Sequence, residues 1–115
     1  MSDVWDIKYT ATDGVRCWFD QILTESDAHI IVREMKQDSE LFEEFRDPVA
    51  VNRTQDLRER FPIGARVDWA GNKCTVRDGY EIILHSHRPN EVITVALDDD
   101  SRVLTVIADF VTLAD

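Results

Sequence analysis

Residues 61–113 read FPIGARVDWAGNKCTVRDGYEIILHSHRPNEVITVALDDDSRVLTVIADFVTL, and this stretch decides the fold. It contains five short apolar segments, each closed by a turn signal such as Gly71-Asn72, Asp78-Gly79 or Arg88-Pro89-Asn90. No helical period of apolar residues runs through it, so the pattern predicts strands. We therefore expect an antiparallel β-meander over residues 61–115.

The turn signals set the predicted hairpins. Ala65–Ala70 and Lys73–Arg77 both alternate apolar and polar residues, and the Gly71-Asn72 pair between them indicates a hairpin. At Asp78-Gly79 a two-residue loop would put the apolar residues of neighbouring strands on opposite faces. A three-residue loop with a left-handed Gly79 puts them on one face, and we favour it.

The later strands, Glu91–Leu97 and Arg102–Ile107, are apolar on both faces. A strand that is apolar on both sides is normally covered on both sides. We expect one cover to be the sheet curling on itself and the other to be the helices of the first half of the chain.

Residues 1–60 predict a strand followed by three to four short helices. Val4–Thr10 alternates and is typical of a strand. Thr24, with an aspartate three residues on, resembles a capping box. Val49–Arg53 is expected to be a loop or a short extended segment. The i, i+3, i+4 spacing of apolar residues predicts three helices, which carry Val15, Trp18, Phe19 and Ile22, then Ala28, Ile31, Val32 and Met35, then Leu41, Phe42 and Phe45. Thr54 is expected to cap a final helical turn or two that carries Leu57.

The segment FPIGARVDW at residues 61–69, followed by tight reversals and a short closing segment at Phe110–Leu113, resembles SH3-like small barrels of the Tudor or KOW kind. That resemblance covers residues 61–115 and implies binding of peptides, modified side chains or nucleic acid, often through an aromatic cage. Trp69, Tyr80 and Phe110 are the aromatic residues available here, and their positions favour the core, so no binding residue is carried over.

The predicted fold class is α+β in a single domain, residues 1–115. In it, the N-terminal strand and three to four short helices of residues 1–60 pack on a strongly curved, five- to six-stranded antiparallel β-meander, an SH3-like barrel, over residues 61–115.

The composition points to an acidic globular protein. The chain has 115 residues, 43% of them hydrophobic, with 23 acidic and 13 basic residues and a formal net charge of −10. Such a charge repels phosphate backbones, so nucleic-acid binding is disfavoured. The N-terminal residues have neither the basic start nor the apolar run of a secretory signal, and no apolar run is long enough to span a bilayer. We expect a cytoplasmic protein with reduced Cys17 and Cys74.

His85 and His87 form an H-x-H pair on a predicted strand, which places both rings on the face that also carries Glu81. Two imidazoles and a carboxylate are ligands that zinc accepts, although a third or fourth ligand at fixed distance is still needed. The other interpretation is a solvated strand end. The run of three aspartates at residues 98–100 lacks the spacing and glycine of a calcium loop and predicts a charged hairpin tip.

The third predicted helix and its flanks carry five acidic residues, which we call the acidic surface: Asp38, Glu40, Glu43, Glu44 and Asp47. An ordinary solvated face is one interpretation, and an electrostatic docking surface for a basic partner is the other. The chain has no G-x-S-x-G, no phosphate-binding glycine loop and no H-E-x-x-H, and no cofactor is expected.

These observations favour a small, acidic, non-enzymatic protein-interaction module, an inhibitor or adaptor that docks on a basic partner. The alternative is a small-molecule- or metal-binding domain with its site near His85 and His87. The N-terminal strand and the last segment both present sheet edges, so a two-fold homodimer that covers them is a further expectation.

Overall fold

The computed structural model describes residues 3–38, 43–85, 88–99 and 102–114, with the side chain of His85 left out. These residues divide into two compact units, an N-terminal unit that ends at Arg53 and a C-terminal unit that begins at Thr54. The chain is mostly β, with 50% strand and 25% helix.

The N-terminal unit is a three-stranded antiparallel sheet with one helix on it. Strands β1 (Trp5–Thr10), β2 (Arg16–Trp18) and β3 (Arg46–Asn52) lie in the order β2-β1-β3. Helix α1 (Glu25–Gln37) packs on this sheet. β1 is the central strand, paired with β2 on one side and β3 on the other, and its alternating residues send one apolar set towards α1. The expected sheet edge at the N-terminal strand is therefore wrong, whereas the last strand of the chain does form an edge.

The predicted apolar stripe of α1 is confirmed, and it forms the core of this unit. Ala28, Val32 and Met35 are buried against Ile7 of β1. The partly buried side chains around them are Trp5, Phe19, Leu23, Ile31, Phe45 and Ala50. Thr24 caps the helix as predicted, since its hydroxyl oxygen accepts the backbone N–H of Asp27 at 3.1 Å.

The C-terminal unit is a five-stranded antiparallel sheet in the order β7-β6-β5-β4-β8. Helix α2 (Arg53–Arg60) begins at the boundary between the two units and precedes the first strand of this sheet in the chain. The strands are β4 (Arg66–Trp69), β5 (Asn72–His85), β6 (Arg88–Leu97), β7 (Val103–Ile107) and β8 (Val111–Leu113), and a 3₁₀ turn at Ala108–Phe110 precedes β8.

The core of the C-terminal unit lies on one face of this sheet. Val67 pairs with Cys74 and Val76 pairs with Val95, and all four side chains are fully buried together with Ile93. On the opposite face of β6, Val92 and Ala96 are also buried, with 3% and 8% of their surface exposed. The expectation of burial on both faces therefore holds for β6. It is wrong for β7, where Val103 is 60% exposed and Ile107 is 37% exposed.

The predicted fold class is wrong. In place of a single meander closed into an SH3-like barrel under three to four helices, the described residues form two open sheets and two helices. The segment predicted as a helix around Val15–Ile22 contains strand β2, in which Cys17 pairs with Tyr9. The segment Val49–Arg53, expected to be a loop or a short extended piece, lies largely within β3. Pairing with β1 outweighs the local helical spacing around Val15–Ile22, and at Val49–Arg53 it selects the extended alternative.

The reversal predicted at Asp78-Gly79 is also wrong. β5 continues through it, and both halves pair with β6 around a register shift between Arg77 and Glu81. Gly79 has φ 140°, and its carbonyl oxygen accepts a hydrogen bond from the Thr94 hydroxyl at 3.0 Å. The glycine marks a β-bulge, because a bulge, like a turn, needs a backbone conformation that other residues rarely adopt.

The predicted third helix falls partly on Leu41 and Phe42, which lie outside the described residues. Its last apolar residue, Phe45, is half-buried and packs edge-on against the rings of Tyr9 and Phe19 at 4.8 Å and 5.6 Å between centroids. Phe45 is thus part of the core of the N-terminal unit.

Candidate functional site

A groove of about 760 Å³ opens in the N-terminal unit where β1 begins and α1 starts. Its polar lining includes the carboxylates of Asp3, Glu25 and Asp27. Trp5 and Leu23 contribute apolar surface beside them. We call it the acidic groove.

Backbone hydrogen bonds hold the walls of the acidic groove in place. Trp5 and Leu23 exchange two of them, at 2.9 Å and 3.0 Å, which fixes the chain just before α1 against β1. Asn52 lies opposite Trp5 in the β1–β3 ladder, and its side-chain amide donates to the Asp3 carboxylate at 3.0 Å. Hydrogen bonds with β1 and with Asp3 thus fix two other walls of the groove, the segment that leads into α1 and the end of β3.

The charge of the acidic groove has one sign. Among its described lining residues there are three carboxylates and no lysine or arginine. Glu25 and Asp27 lie in the first turn of α1, where carboxylates also stabilise the helix by facing its positive end. Trp5 offers an aromatic surface next to them, and its ring also contacts His29, with 5.6 Å between centroids. Carboxylates beside an indole suit a cationic group.

A second polar cluster lies on the other face of the same sheet. Asp6 is fully buried, and its carboxylate accepts backbone N–H bonds from Ile7 at 2.8 Å and from Asp20 and Gln21 at 3.2 Å. Arg53 donates to it at 2.7 Å. Burial raises the pKa of Asp6, and the backbone N–H groups and Arg53 oppose that rise. Because every donor around it belongs to the fold, we assign this cluster a structural role.

Arg53 also connects the cluster to an aromatic ring. Its guanidinium lies 4.5 Å from the ring centroid of Trp18 and 3.2 Å from the carboxylate of Asp20, and the ammonium of Lys8 lies 4.8 Å from the same ring. Asp20 adopts a left-handed backbone with φ 63°. Arg53 therefore anchors the loop after β2 within the N-terminal unit.

The predicted metal ligands are only partly described. Glu81 is exposed on β5, and the backbone of His85 pairs with Arg88. His87 and the side chain of His85 lie outside the described residues, so the metal site stays a prediction. In the part of the chain that is described, no group of three His, Cys, Asp or Glu side chains is arranged to hold a metal ion.

Four members of the predicted acidic surface, Asp38, Glu43, Glu44 and Asp47, are exposed, while Glu40 lies outside the described residues. Asp38 follows α1, and its backbone N–H donates to the carbonyl of Glu34 at 3.0 Å. None of the four lines the acidic groove. Sequence reasoning missed the groove residues, although the capping signal had located the first turn of α1.

Comparison of the chain with family models, with curated proteins and with solved structures gives no match. No helix within the described ranges is both long enough and apolar enough to cross a bilayer. Function is therefore inferred from the geometry and charge of the molecule.

Proposed function

We propose that this protein is a small, acidic, non-enzymatic interaction module that binds a basic partner protein by accepting a lysine or arginine side chain in the acidic groove. The observation that carries the proposal is the lining of that groove, with three carboxylates and an indole and no cationic residue among the described ones. A cation placed there faces Asp3, Glu25 and Asp27 while its stem contacts Trp5.

The net charge of the chain supports the same partner. A formal charge of −10 attracts a basic protein over distances comparable to the Debye length, about 8 Å at physiological salt. The exposed residues of the acidic surface add to this field outside the groove. They raise the association rate more than the affinity, whereas the groove supplies the contact that selects the partner.

On this proposal the module inhibits its partner where the bound basic surface is functional, and otherwise serves as an adaptor. The cytoplasm is its proposed location. The thiols of Cys17 and Cys74, which are both free, are compatible with a reducing compartment.

Hexalysine tests the groove as a cation site. We expect it to shift the indole N–H signal of Trp5 and the amide signals of α1's first turn in NMR spectra, with an affinity that falls as salt is added. The variant Glu25→Gln/Asp27→Asn should weaken binding by roughly three- to tenfold, because each exposed ion pair contributes about 0.2–1 kcal/mol.

The matched control is Glu43→Gln/Glu44→Gln, which removes the same charge from the acidic surface. It should leave the affinity for hexalysine near the wild-type value. If this control weakens binding and the groove variant does not, hexalysine binds the acidic surface and the acidic groove is not the binding site. If hexalysine does not bind even at low ionic strength, the proposal that the protein binds a basic partner is refuted as well.

A further inference from the structure

Strand β7 is an edge of the five-stranded sheet, with β6 on one side of it. The N–H of Leu97 donates to the carbonyl of Arg102 at 2.8 Å, which makes this the first hydrogen-bonded pair of the β6–β7 ladder. Bonding alternates along an antiparallel ladder. Leu104 and Val106 therefore bond to β6, while the N–H and C=O groups of residues 103, 105 and 107 point away from it.

The side chains at this edge are apolar and accessible. Val103 is 60% exposed and Ile107 is 37% exposed, and both lie on the same sheet face as the exposed Thr105. Their partners in β6, Val92 and Ala96, are buried on that face. An added strand would extend this partly apolar face and cover Val103 and Ile107.

The other sheet edges carry protection that β7 lacks. β3 contains Pro48, which has no N–H to offer, next to Asp47 with a left-handed φ of 49°. β2 and β8 are each only three residues long. Prolines, charges and short strands are the usual means by which proteins block pairing at an edge. β7 reads VLTVI over five residues, with no proline and no charge.

The charges around β7 select the occupant. The sequence places three aspartates, residues 98–100, before β7 and Asp109 after it, with one arginine in the same stretch. Asp98 forms an ion pair with Arg66 of β4, which offsets its charge, so the excess of negative charge rests on the other aspartates. A second copy paired antiparallel about Thr105 would bring the aspartate turn of one chain towards Asp109 of the other, which is repulsive. A segment with lysine or arginine on both sides of a strand-forming core complements the same pattern.

We infer that β7 takes up an extended segment of the basic partner, which adds a sixth strand to the sheet and carries apolar residues in its centre and cations at its ends. This inference rests on the proposed function, since it concerns the same partner. Backbone hydrogen bonds to the N–H groups of residues 103, 105 and 107 and to the C=O groups of residues 103 and 105 supply affinity, and the flanking aspartates favour basic ends. The acidic groove binds one side chain independently of this edge.

The test uses the blocked peptide KKVTVTVKK as probe and EEVTVTVEE as its charge-reversed control. In the free protein, the amides of Leu104 and Val106 should be protected from hydrogen exchange and those of 103, 105 and 107 should exchange. The basic peptide should protect these three amides. The acidic peptide should bind more than about tenfold more weakly, because its charges repel the aspartates.

Two variants block the edge without removing a bond to β6. Thr105→Pro deletes one outward N–H, and Val103→Lys adds a charge at an exposed position. Both should abolish the added protection while the amides of Leu104 and Val106 stay protected, which reports that the sheet is intact. Val49→Lys places the same charge at another half-exposed strand position, in β3, and should leave binding unchanged.

The outcomes separate the inference from the proposed function. The added strand is overturned if KKVTVTVKK still binds both β7 variants, or if it binds the wild type while the amides of residues 103, 105 and 107 continue to exchange. If hexalysine still binds the groove in that case, the proposed function stands. If neither KKVTVTVKK nor hexalysine binds, both the added strand and the proposed function are overturned. A concentration-dependent dimer that Thr105→Pro dissociates would put a second copy on the edge and overturn the basic partner as its occupant.

Discussion

Replacing Arg53 with methionine probes the buried ion pair between Arg53 and Asp6 in the N-terminal unit. The side chain of Arg53 is 6% exposed and that of Asp6 is 0% exposed, and the bond between them is 2.7 Å long. Methionine keeps an unbranched apolar stem of similar reach but offers no donor. The carboxylate of Asp6 then keeps its three backbone N–H donors and loses its only counter-charge among the described contacts.

The expected loss in unfolding free energy is large for a single substitution. Leaving one partner of a buried ion pair without the other costs about 3–5 kcal/mol. The lost stacking of the guanidinium on Trp18, at 4.5 Å, is part of that figure and contributes about 1 kcal/mol. With a urea dependence of about 1–3 kcal/mol per molar, the unfolding midpoint should fall by roughly 2 M.

This loss should depend on pH. Burial raises the pKa of Asp6, and Arg53 is one of the groups that lower it, so removing Arg53 raises the folded-state pKa further. A carboxyl whose folded pKa lies above its unfolded value, about 3.9, contributes stability that is complete below that value and is lost as the pH rises through the folded pKa. Arg53→Met should therefore lose more stability at pH 7 than at pH 4.

Urea unfolding followed by circular dichroism at several pH values measures the difference between wild type and variant. In an Asp6→Asn background, Arg53→Met should cost the same stability at every pH, because the amide oxygen still accepts from Ile7 and Gln21 and does not titrate in either protein compared. Arg66→Met is the matched control. Its ion pair with Asp98 is solvent-exposed, so the unfolding midpoint should barely change.

A midpoint of Arg53→Met close to that of wild type would refute the assignment of Asp6 and Arg53 as a buried, mutually dependent pair. A loss of stability that is the same at pH 4 and pH 7 would instead refute the idea that an ionised Asp6 is the source of the destabilisation.

Three further predictions concern the bulge at Gly79, the cap of α1 and the histidine pair. Gly79→Ala should destabilise the protein by roughly 2–4 kcal/mol in urea unfolding, because its Cβ would lie 2.4 Å from the hydroxyl oxygen of a β6 threonine. Gly71→Ala, with φ 80° and open space around it, should lose only about 1 kcal/mol, and equal losses would rule out the steric explanation. Thr24→Ala should cost about 1 kcal/mol and reduce helicity, and an unchanged midpoint would contradict its role as a cap. If His85 and His87 bind zinc as their spacing predicts, zinc should raise the Tm of the wild type but not that of His85→Ala/His87→Ala. A wild-type Tm that does not change with zinc would refute the metal site.

The candidate site was only partly accessible to sequence reasoning. The threonine cap and the apolar stripe of α1 are local patterns, and they correctly placed the first turn that carries Glu25 and Asp27. Asp3 and Trp5 reach the same groove only because Trp5 bonds to Leu23 and Asn52 bonds to Asp3. Such contacts join residues that are far apart in the chain, and no periodicity reports them.

The sequence by itself determined the acidic character, strand β1, the capped helix α1 and the strand-rich second half, because charge, capping and alternation act within a few residues. Tertiary structure decided that the segment Arg16–Trp18 is a strand and that Gly79 marks a bulge. It also decided that Arg53 meets Asp6, 47 positions away. At each of these places the local preference is weak or ambiguous, and the pairing partner available in the folded chain selects the conformation.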